Sequence, residues 1–136
     1  MRRVGAFGLA LLICFCTISQ VNASANDSQS PRATYLKTVY AVLNIDATTG
    51  IAYCQGYSIV HGGAYITLRL YLEQQEATGS WSTIKTWTST CDVDQMLHGQ
   101  YAVPKGYNYR LRTVCIVYNA HNAILEMGNA IATAYY

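Results

Sequence analysis

Residues 65–73 read YITLRLYLE, and the regular alternation of residue types in them is the clearest structural signal in the chain. Its even-numbered residues are all aliphatic, while the odd-numbered residues between them are mostly polar or aromatic: Ile66, Leu68, Leu70 and Leu72 against Tyr65, Thr67, Arg69, Tyr71 and Glu73. Successive side chains of a β-strand point to opposite faces, so a period of two predicts a strand with one buried face and one solvated face.

A second alternating stretch lies in residues 107–118. One of its faces is formed by Tyr109, Leu111, Thr113, Cys115 and Val117. Around these two stretches, blocks rich in β-branched and aromatic residues alternate with turn-forming residues. The blocks predicted as strands are 35–45, 51–60, 65–73, 81–89, 101–103, 107–118 and 124–136, with irregular sequence expected at 91–100. Seven short strands predict an all-β domain, either a sandwich or a small barrel.

The first 25 residues are predicted to be a signal peptide. Arg2 and Arg3 provide a positive start, residues 4–18 form an apolar run, and residues 23–25 offer the small-residue pattern of a cleavage site. A membrane-spanning helix needs about 20 apolar residues, so an uncleaved anchor is the weaker alternative. Residues 26–33 are polar and predict a flexible tail, which leaves 34–136 as the folded domain.

The leader also bears on membrane attachment. Cys14 and Cys16 follow the large residues Ile13 and Phe15, whereas bacterial lipoprotein signals resemble one another in placing a small residue before the modified cysteine. We therefore expect no lipid modification and no membrane anchor after cleavage. The mature protein is predicted to be secreted and extracellular.

Charge argues against nucleic acid as a partner. The chain has nine Lys and Arg residues, of which Arg2 and Arg3 belong to the predicted leader, so cleavage leaves seven basic residues against seven acidic ones. A nucleic-acid binder needs a basic surface that displaces condensed counterions, and a neutral mature chain has no excess of positive charge to supply one.

Residues 104–111, PKGYNYRL, resemble the beginning of the sixth strand in immunoglobulin-like and fibronectin type III sandwiches. In those folds a Pro-Gly turn leads to a buried tyrosine whose hydroxyl satisfies a backbone group at a corner between strands. The resemblance implies that Tyr109 takes this structural role. It also implies an immunoglobulin-like antiparallel β-sandwich of about seven strands, and it implies no activity.

A second resemblance covers more of the chain. It rests on Cys54, on residues 70–74, on Trp81 and Trp87, on residues 106–110 and on Glu126. In this order they resemble a group of small secreted proteins of unknown function from Gram-positive bacteria. The resemblance supports export and the sandwich fold, and it transfers no catalytic residue.

Three cysteines lie outside the leader: Cys54, Cys91 and Cys115. The resemblance to antibody domains implies a disulfide between Cys54 and Cys115, which lie on the second and sixth predicted strands. In the chain-entropy model, closing a loop of that length stabilises a fold by about 4 kcal/mol. The alternative is that all three are buried free thiols, which act as small apolar side chains.

The solvated faces of the third and sixth predicted strands form the candidate binding face. Its residues are aromatic rings and guanidinium groups: Tyr65, Arg69, Tyr71, Arg110, Arg112 and Tyr118. Such groups stack on sugars or anchor a protein partner. The alternative is that they are cross-strand pairs that only stabilise a solvated sheet. Trp81 and Trp87 are expected on one common face of the fourth strand, opposite Ile84, with at least one of them buried.

No motif commits the chain to catalysis, to a cofactor or to a metal. The sequence therefore predicts a secreted, non-enzymatic β-sandwich that acts as a binding or interaction module toward a protein or a glycan, at or outside the cell surface. The alternative is a small exported effector, toxin-like or bacteriocin-like, that acts by self-assembly or on membranes. A hydrolase with catalytic residues scattered along the chain is a third, weaker alternative.

Overall fold

The computed structural model describes residues 35–136, and every regular element within that range is a β-strand. The predicted signal peptide (1–25) and tail (26–33) lie outside the described residues. The strands are β1 (Leu36–Ile45), β2 (Ile51–Val60), β3 (Tyr65–Gln75), β4 (Trp81–Cys91), β5 (Gln95–Ala102), β6 (Asn108–Tyr118) and β7 (Ile124–Tyr135).

The strands form two antiparallel sheets that pack face to face. One sheet has the order β1-β2-β5, and the other has the order β4-β3-β6-β7. The predicted immunoglobulin-like antiparallel sandwich is confirmed. In constant-type immunoglobulin domains the fourth strand joins the sheet of the first, second and fifth strands. Here β4 pairs with β3 instead, at the edge of the second sheet.

The core lies between the two sheets, and the alternation of β3 and β6 builds much of it. The four even-numbered aliphatic residues of β3 are at most 1% exposed, and the predicted inward set of β6 is fully buried. The opposing sheet contributes Val39, Ala41, Leu43, Ala52 and Cys54. Because burial of a Leu or Ile side chain is worth about 1.5–3 kcal/mol, the period-two pattern supplies much of the energy that holds the sheets together.

The two sheets approach closely where a glycine faces a large side chain. A Cβ atom on Gly56 of β2 would lie 2.2 Å from Leu70 and 2.8 Å from Thr113. A Cβ atom on Gly99 of β5 would lie 2.2 Å from the Trp87 indole. The missing side chains thus provide the space that Leu70 and Trp87 occupy.

The strand β5 is longer than predicted. The sequence pattern predicts a short strand at 101–103 and irregular structure at 91–100, whereas β5 runs from Gln95 to Ala102. It is an edge strand that pairs only with β2, and its inward positions include Gly99. An edge strand that buries few large side chains gives a weak periodic signal, which explains the error.

The corner before β6 is formed as the resemblance implied. The Tyr109 hydroxyl donates a hydrogen bond to the Pro104 carbonyl oxygen at 2.6 Å, and the Tyr109 side chain is fully buried. Gly106 adopts a φ of 95°, a conformation that glycine tolerates without steric cost. The Tyr107 amide then donates to the Tyr136 carbonyl oxygen at 3.1 Å, which attaches the end of the chain to this corner.

A partly buried contact at the opposite end of the sandwich joins the two sheets. The Glu126 carboxylate on β7 accepts hydrogen bonds from the backbone N–H groups of Tyr35 and Leu36, at 2.8 and 3.1 Å. The first residues of β1 are thereby held against β7, although β1 pairs with β2 in the other sheet.

The predicted disulfide between Cys54 and Cys115 is wrong, because both are free thiols. Both side chains do point into the core. However, Cys115 faces the hydroxyl of Ser58 on β2, and Cys54 lies four residues before Ser58 on the same strand. A strand rises about 3.3 Å per residue, so this offset is about 13 Å along β2, whereas a disulfide requires Cα atoms within about 7 Å.

Burial governs the chemistry of these two thiols. It raises the pKa of Cys54 to about 12. For Cys115 burial is again the largest influence, partly opposed by the Ser58 hydroxyl, and the pKa is raised to about 11. Both groups therefore stay protonated near neutral pH and behave as small core side chains.

Candidate functional site

The outer face of the β4-β3-β6-β7 sheet carries all six predicted binding residues. In the register of β3 and β6, Tyr65 pairs with Tyr118, Tyr71 with Arg112 and Glu73 with Arg110. Arg69 lies on β3 between the Tyr65–Tyr118 pair and the Tyr71–Arg112 pair. We call this surface the ladder face, after the stacked order of its side chains: Trp81, Arg110, Glu73, Arg112, Tyr71, Arg69, Tyr118 and Tyr65.

Glu73 lies at the centre of the ladder face, between two guanidinium groups. Its Oε2 accepts from Nε of Arg110 at 2.5 Å, and its Oε1 accepts from an Nη of Arg112 at 3.1 Å. The Glu73 residue is only 4% exposed although it belongs to the outer face, because the arginines lie across it. Its burial alone would raise its pKa, but the two guanidiniums outweigh burial, and the pKa of Glu73 is lowered from its ordinary value.

Each of these guanidinium groups is also stacked on an aromatic ring. The Arg110 guanidinium lies 4.5 Å from the ring centre of Trp81, and that of Arg112 lies 4.4 Å from the ring centre of Tyr71. Cation–π contacts of this kind contribute about 0.5–1 kcal/mol at exposed sites. The carboxylate and the rings together hold both arginines in one orientation.

The other end of the ladder face is aromatic. The rings of Tyr65 and Tyr118 stack with centres 4.7 Å apart, and the Tyr65 hydroxyl donates to the side-chain oxygen of Asn122 at 2.9 Å. Arg69 interacts with the Tyr71 hydroxyl, and Tyr71 and Tyr118 together raise the pKa of its guanidinium. Three cations and one carboxylate therefore lie on this face, which has a net charge of +2.

Not all of the predicted solvated face is solvated. Val114 and Ile116 of β6 are 8% and 7% exposed, and Thr67 of β3 is 7% exposed. The β1-β2-β5 sheet packs on the inner side of this sheet and does not reach these three residues. They are instead covered by the longer side chains that surround them on the outer face. The Thr67 hydroxyl also shares a hydrogen bond with that of Thr90 on β4, at 3.1 Å.

Trp81 is a member of the ladder face that strict alternation places wrongly. Alternation predicts Trp81 and Trp87 on one face of β4 and Ile84 on the other, but the pairing of β3 with β4 shifts by one residue at Ile84. Trp81 therefore pairs with Gln75 on the outer side, while Trp87 pairs with Leu70 and packs on the core. Neither indole is fully buried. Such a β-bulge reverses the facing of every residue beyond it, and strict alternation has no signal for it.

The outer face of the β1-β2-β5 sheet has the opposite character. Its central rows are Tyr40, Tyr57 and Met96, then Val42, Gln55 and His98, then Asn44, Tyr53 and Gln100. The rows at its two ends, Thr38 with Ile59 and Ile51 with Ala102, are equally without Lys, Arg, Asp or Glu; the exposed Lys37 lies beside the Thr38 row, as the extra residue of the bulge between Leu36 and Thr38. We call this surface the charge-free face. The sequence pattern does not predict this face, although four of its large apolar or aromatic side chains are 41–50% exposed.

Two further findings concern metals and membranes. Among residues 35–136, no group of three or more His, Cys, Asp and Glu side chains is arranged to hold a metal ion. Within the same range no helix is long and apolar enough to cross a membrane.

Residues 17–134 match the Family of unknown function (DUF6147), and the chain belongs to this family. The match spans all seven strands except the last residue of β7, so it includes both faces described above. No curated protein and no solved structure matched the chain.

Proposed function

We propose that this member of the family is an exported, non-enzymatic binding protein and that the ladder face is its binding surface. The observation that carries the proposal is the packing of Trp81, Arg110, Glu73, Arg112 and Tyr71 into one ordered layer. Tryptophan, tyrosine and arginine are the residue types that contribute most to binding energy at protein surfaces. Because these side chains are already held by one another, a ligand loses little of their conformational entropy on binding.

The chemistry of Glu73 favours recognition over catalysis. A general acid or base works best when its pKa lies near the operating pH. The pKa of Glu73 is shifted the other way, because two guanidiniums stabilise its ionised form. In this proposal Glu73 positions the arginines and takes no part in proton transfer.

The proposed ligand carries carboxylate groups. The ladder face has a net charge of +2, and each arginine that contacts Glu73 through one nitrogen has further N–H groups to donate. Guanidinium groups match the geometry of carboxylates by forming paired hydrogen bonds. An acidic protein segment and an acidic polysaccharide both carry carboxylates. The aromatic rings of the face can pack against either a peptide chain or a sugar chain.

Export rests on the leader-like residues 1–25 and on the resemblance to small secreted Gram-positive proteins. A secreted location places the ladder face outside the cell, where acidic polymers are available as ligands. Secretion is testable by finding the processed chain in the culture medium and sequencing its N-terminus.

The binding test compares Arg69→Gln with Lys37→Gln. Both substitutions remove one positive charge, but Arg69 lies on the ladder face and Lys37 lies on β1 in the other sheet. Arg69 makes no salt bridge to Glu73, so its loss leaves both ion pairs of Glu73 in place. Binding to polyglutamate and to polygalacturonate is measured by biolayer interferometry at about 20 and about 150 mM salt, over which screening increases strongly.

We expect the native protein to bind at least one of the two polymers more weakly at the higher salt concentration. Arg69→Gln should weaken that binding about five- to tenfold, which corresponds to about 1–1.4 kcal/mol, while Lys37→Gln should leave it nearly unchanged. The stronger of the two polymers identifies the source of the carboxylates. Absence of binding to both, or equal effects of the two substitutions, would refute the assignment of the ladder face.

The self-assembling effector remains a second candidate because of the charge-free face. An exposed, uncharged and partly aromatic sheet face is suited to association between copies. Self-assembly of this kind does not involve the ladder face, so the two candidate functions use different surfaces of the molecule.

A further inference from the structure

The charge-free face exposes large apolar and aromatic side chains without a covering layer. Tyr40 is 41% exposed, Val42 is 50%, Tyr53 is 42% and Met96 is 49%. The buried centres of protein interfaces are depleted of charged residues and enriched in tyrosine and methionine. This face has that composition, whereas the ladder face on the opposite side of the sandwich has four charged side chains.

We propose that the charge-free face is covered by the same face of a second copy, in a two-fold symmetric dimer. In such a dimer the same patch serves on both subunits, so it must be complementary to itself. The proposal concerns a surface remote from the ladder face. It does not depend on the ligand binding proposed for that face, and it gives a specific geometry to the association between copies named as the second candidate.

The distribution of charge on the molecule favours a second copy of the chain as the partner that covers the charge-free face. A two-fold contact through the ladder face would oppose two surfaces of net charge +2, whereas the charge-free face opposes no like charges. Residues 35–136 contain six Lys and Arg and six Asp and Glu, so two copies do not repel each other at long range. A partner with a strongly charged surface would instead lose hydration on docking here without gaining an ion pair.

The size of the face sets the expected strength of the dimer. Three strands about 4.8 Å apart and up to ten residues long, at about 3.3 Å per residue, cover a plane of about 14 by 33 Å. The side chains that stand out of this plane add to that area of roughly 460 Å². Specific interfaces at the small end of the range bury about 600 Å² per partner. The proposed dimer is therefore weak, with a dissociation constant in the micromolar range.

Gln55 marks the centre of the proposed interface. It lies in the middle row of the middle strand, between Val42 and His98, so the two-fold axis passes close to it. A charge introduced at this position meets its own symmetry mate at short distance in the dimer. In the monomer the same charge remains in water, where it costs little.

The experiment compares Gln55→Glu with Gln75→Glu by sedimentation velocity. The two substitutions are chemically identical, but Gln75 lies in the other sheet, on the outer side beside Asn108. The purified protein and both variants are examined from about 1 µM to about 1 mM, a range that brackets a micromolar dissociation constant. Thermal unfolding at the lowest concentration shows that each variant is folded.

We expect the native protein to shift from its monomer mass of 15.0 kDa, less any processed leader, toward twice that mass as concentration rises. Gln55→Glu should raise the dissociation constant at least tenfold, and Gln75→Glu should leave it within about twofold. A native protein that stays monomeric up to 1 mM overturns the proposal. So does a dimer that both variants form as readily as the native protein, because the contact then lies elsewhere.

Discussion

Replacing Glu73 by glutamine tests whether the ladder face is held together by charge. The substitution keeps the size of the side chain and one acceptor oxygen, but it removes the negative charge between Arg110 and Arg112. Hydrogen bonds to charged groups contribute about 1.5–3 kcal/mol when they are buried. The Arg110 and Arg112 side chains are 25% and 33% exposed, so solvent screening reduces each contribution to about 1 kcal/mol. We expect Glu73→Gln to lower the free energy of unfolding by about 2 kcal/mol at pH 7.

The pH dependence separates charge from packing. Because the pKa of Glu73 in the folded protein is lowered from its ordinary value of 4.5, its ionisation favours the folded state. That contribution is fully present above about pH 4.5 and is lost as the pH falls through the lower, folded-state pKa. The difference in unfolding free energy between the native protein and Glu73→Gln should therefore shrink toward zero in acid, because a protonated glutamate and a glutamine are both neutral.

Urea unfolding at pH 7 and at about pH 2.5 measures this difference. The matched control is Glu76→Gln, because Glu76 is an exposed carboxylate just after the end of β3 and makes no salt bridge. Its substitution should change stability by less than about 0.5 kcal/mol at either pH. A Glu73→Gln difference of equal size at both pH values would show that the loss comes from packing. No difference at pH 7 would show that the ion pairs only offset the cost of burying the carboxylate.

Two further predictions concern the corner and the thiols. Tyr109→Phe removes the hydroxyl that donates to the Pro104 carbonyl oxygen and leaves the buried ring in place; we expect a loss of about 1 kcal/mol in urea unfolding, and an unchanged midpoint would refute the structural role of the corner. In the folded sandwich, Cys54 and Cys115 should resist a thiol reagent at pH 8 because burial keeps them protonated, while half-buried Cys91 reacts first. Rapid labelling of all three before denaturant is added would contradict the packing described for β2 and β6.

Most of the fold could be predicted because β3 and β6 lie at the centre of their sheet. Each is paired on both sides, so its inward side chains are covered by the second sheet along its whole length, while its outward side chains are covered only by one another. Strict alternation of residues follows from that geometry, and it located both strands within a few residues. The edge strands obey weaker constraints. On its inward side the strand β5 places Gln95 and Gly99 alternately with Leu97 and Tyr101, so the apolar alternation is interrupted, and its start was missed.

Strict alternation gave the wrong result where a single extra residue moves the following side chains of a strand to the other face of the sheet. The bulge at Ile84 places Trp81 on the ladder face and Trp87 against the core, and a pattern of period two has no means of detecting it. The prediction of a disulfide was wrong for a related reason. Both cysteines point inward, but bridging depends on register across the two sheets, and Cys115 is opposite Ser58 instead of Cys54.

The candidate binding residues were found because each is chemically conspicuous, whereas the charge-free face is defined by which residues are missing. In the sequence, the absence of charge is split among three segments that only the pairing of β1, β2 and β5 brings together. A lysine or glutamate at Val42, half exposed on an edge strand, would cost the isolated monomer little and would improve its solubility. Nothing in the monomer therefore requires this face to be uncharged. A contact with a second copy does require it, since an unpaired charge at the centre of a two-fold interface meets its own image.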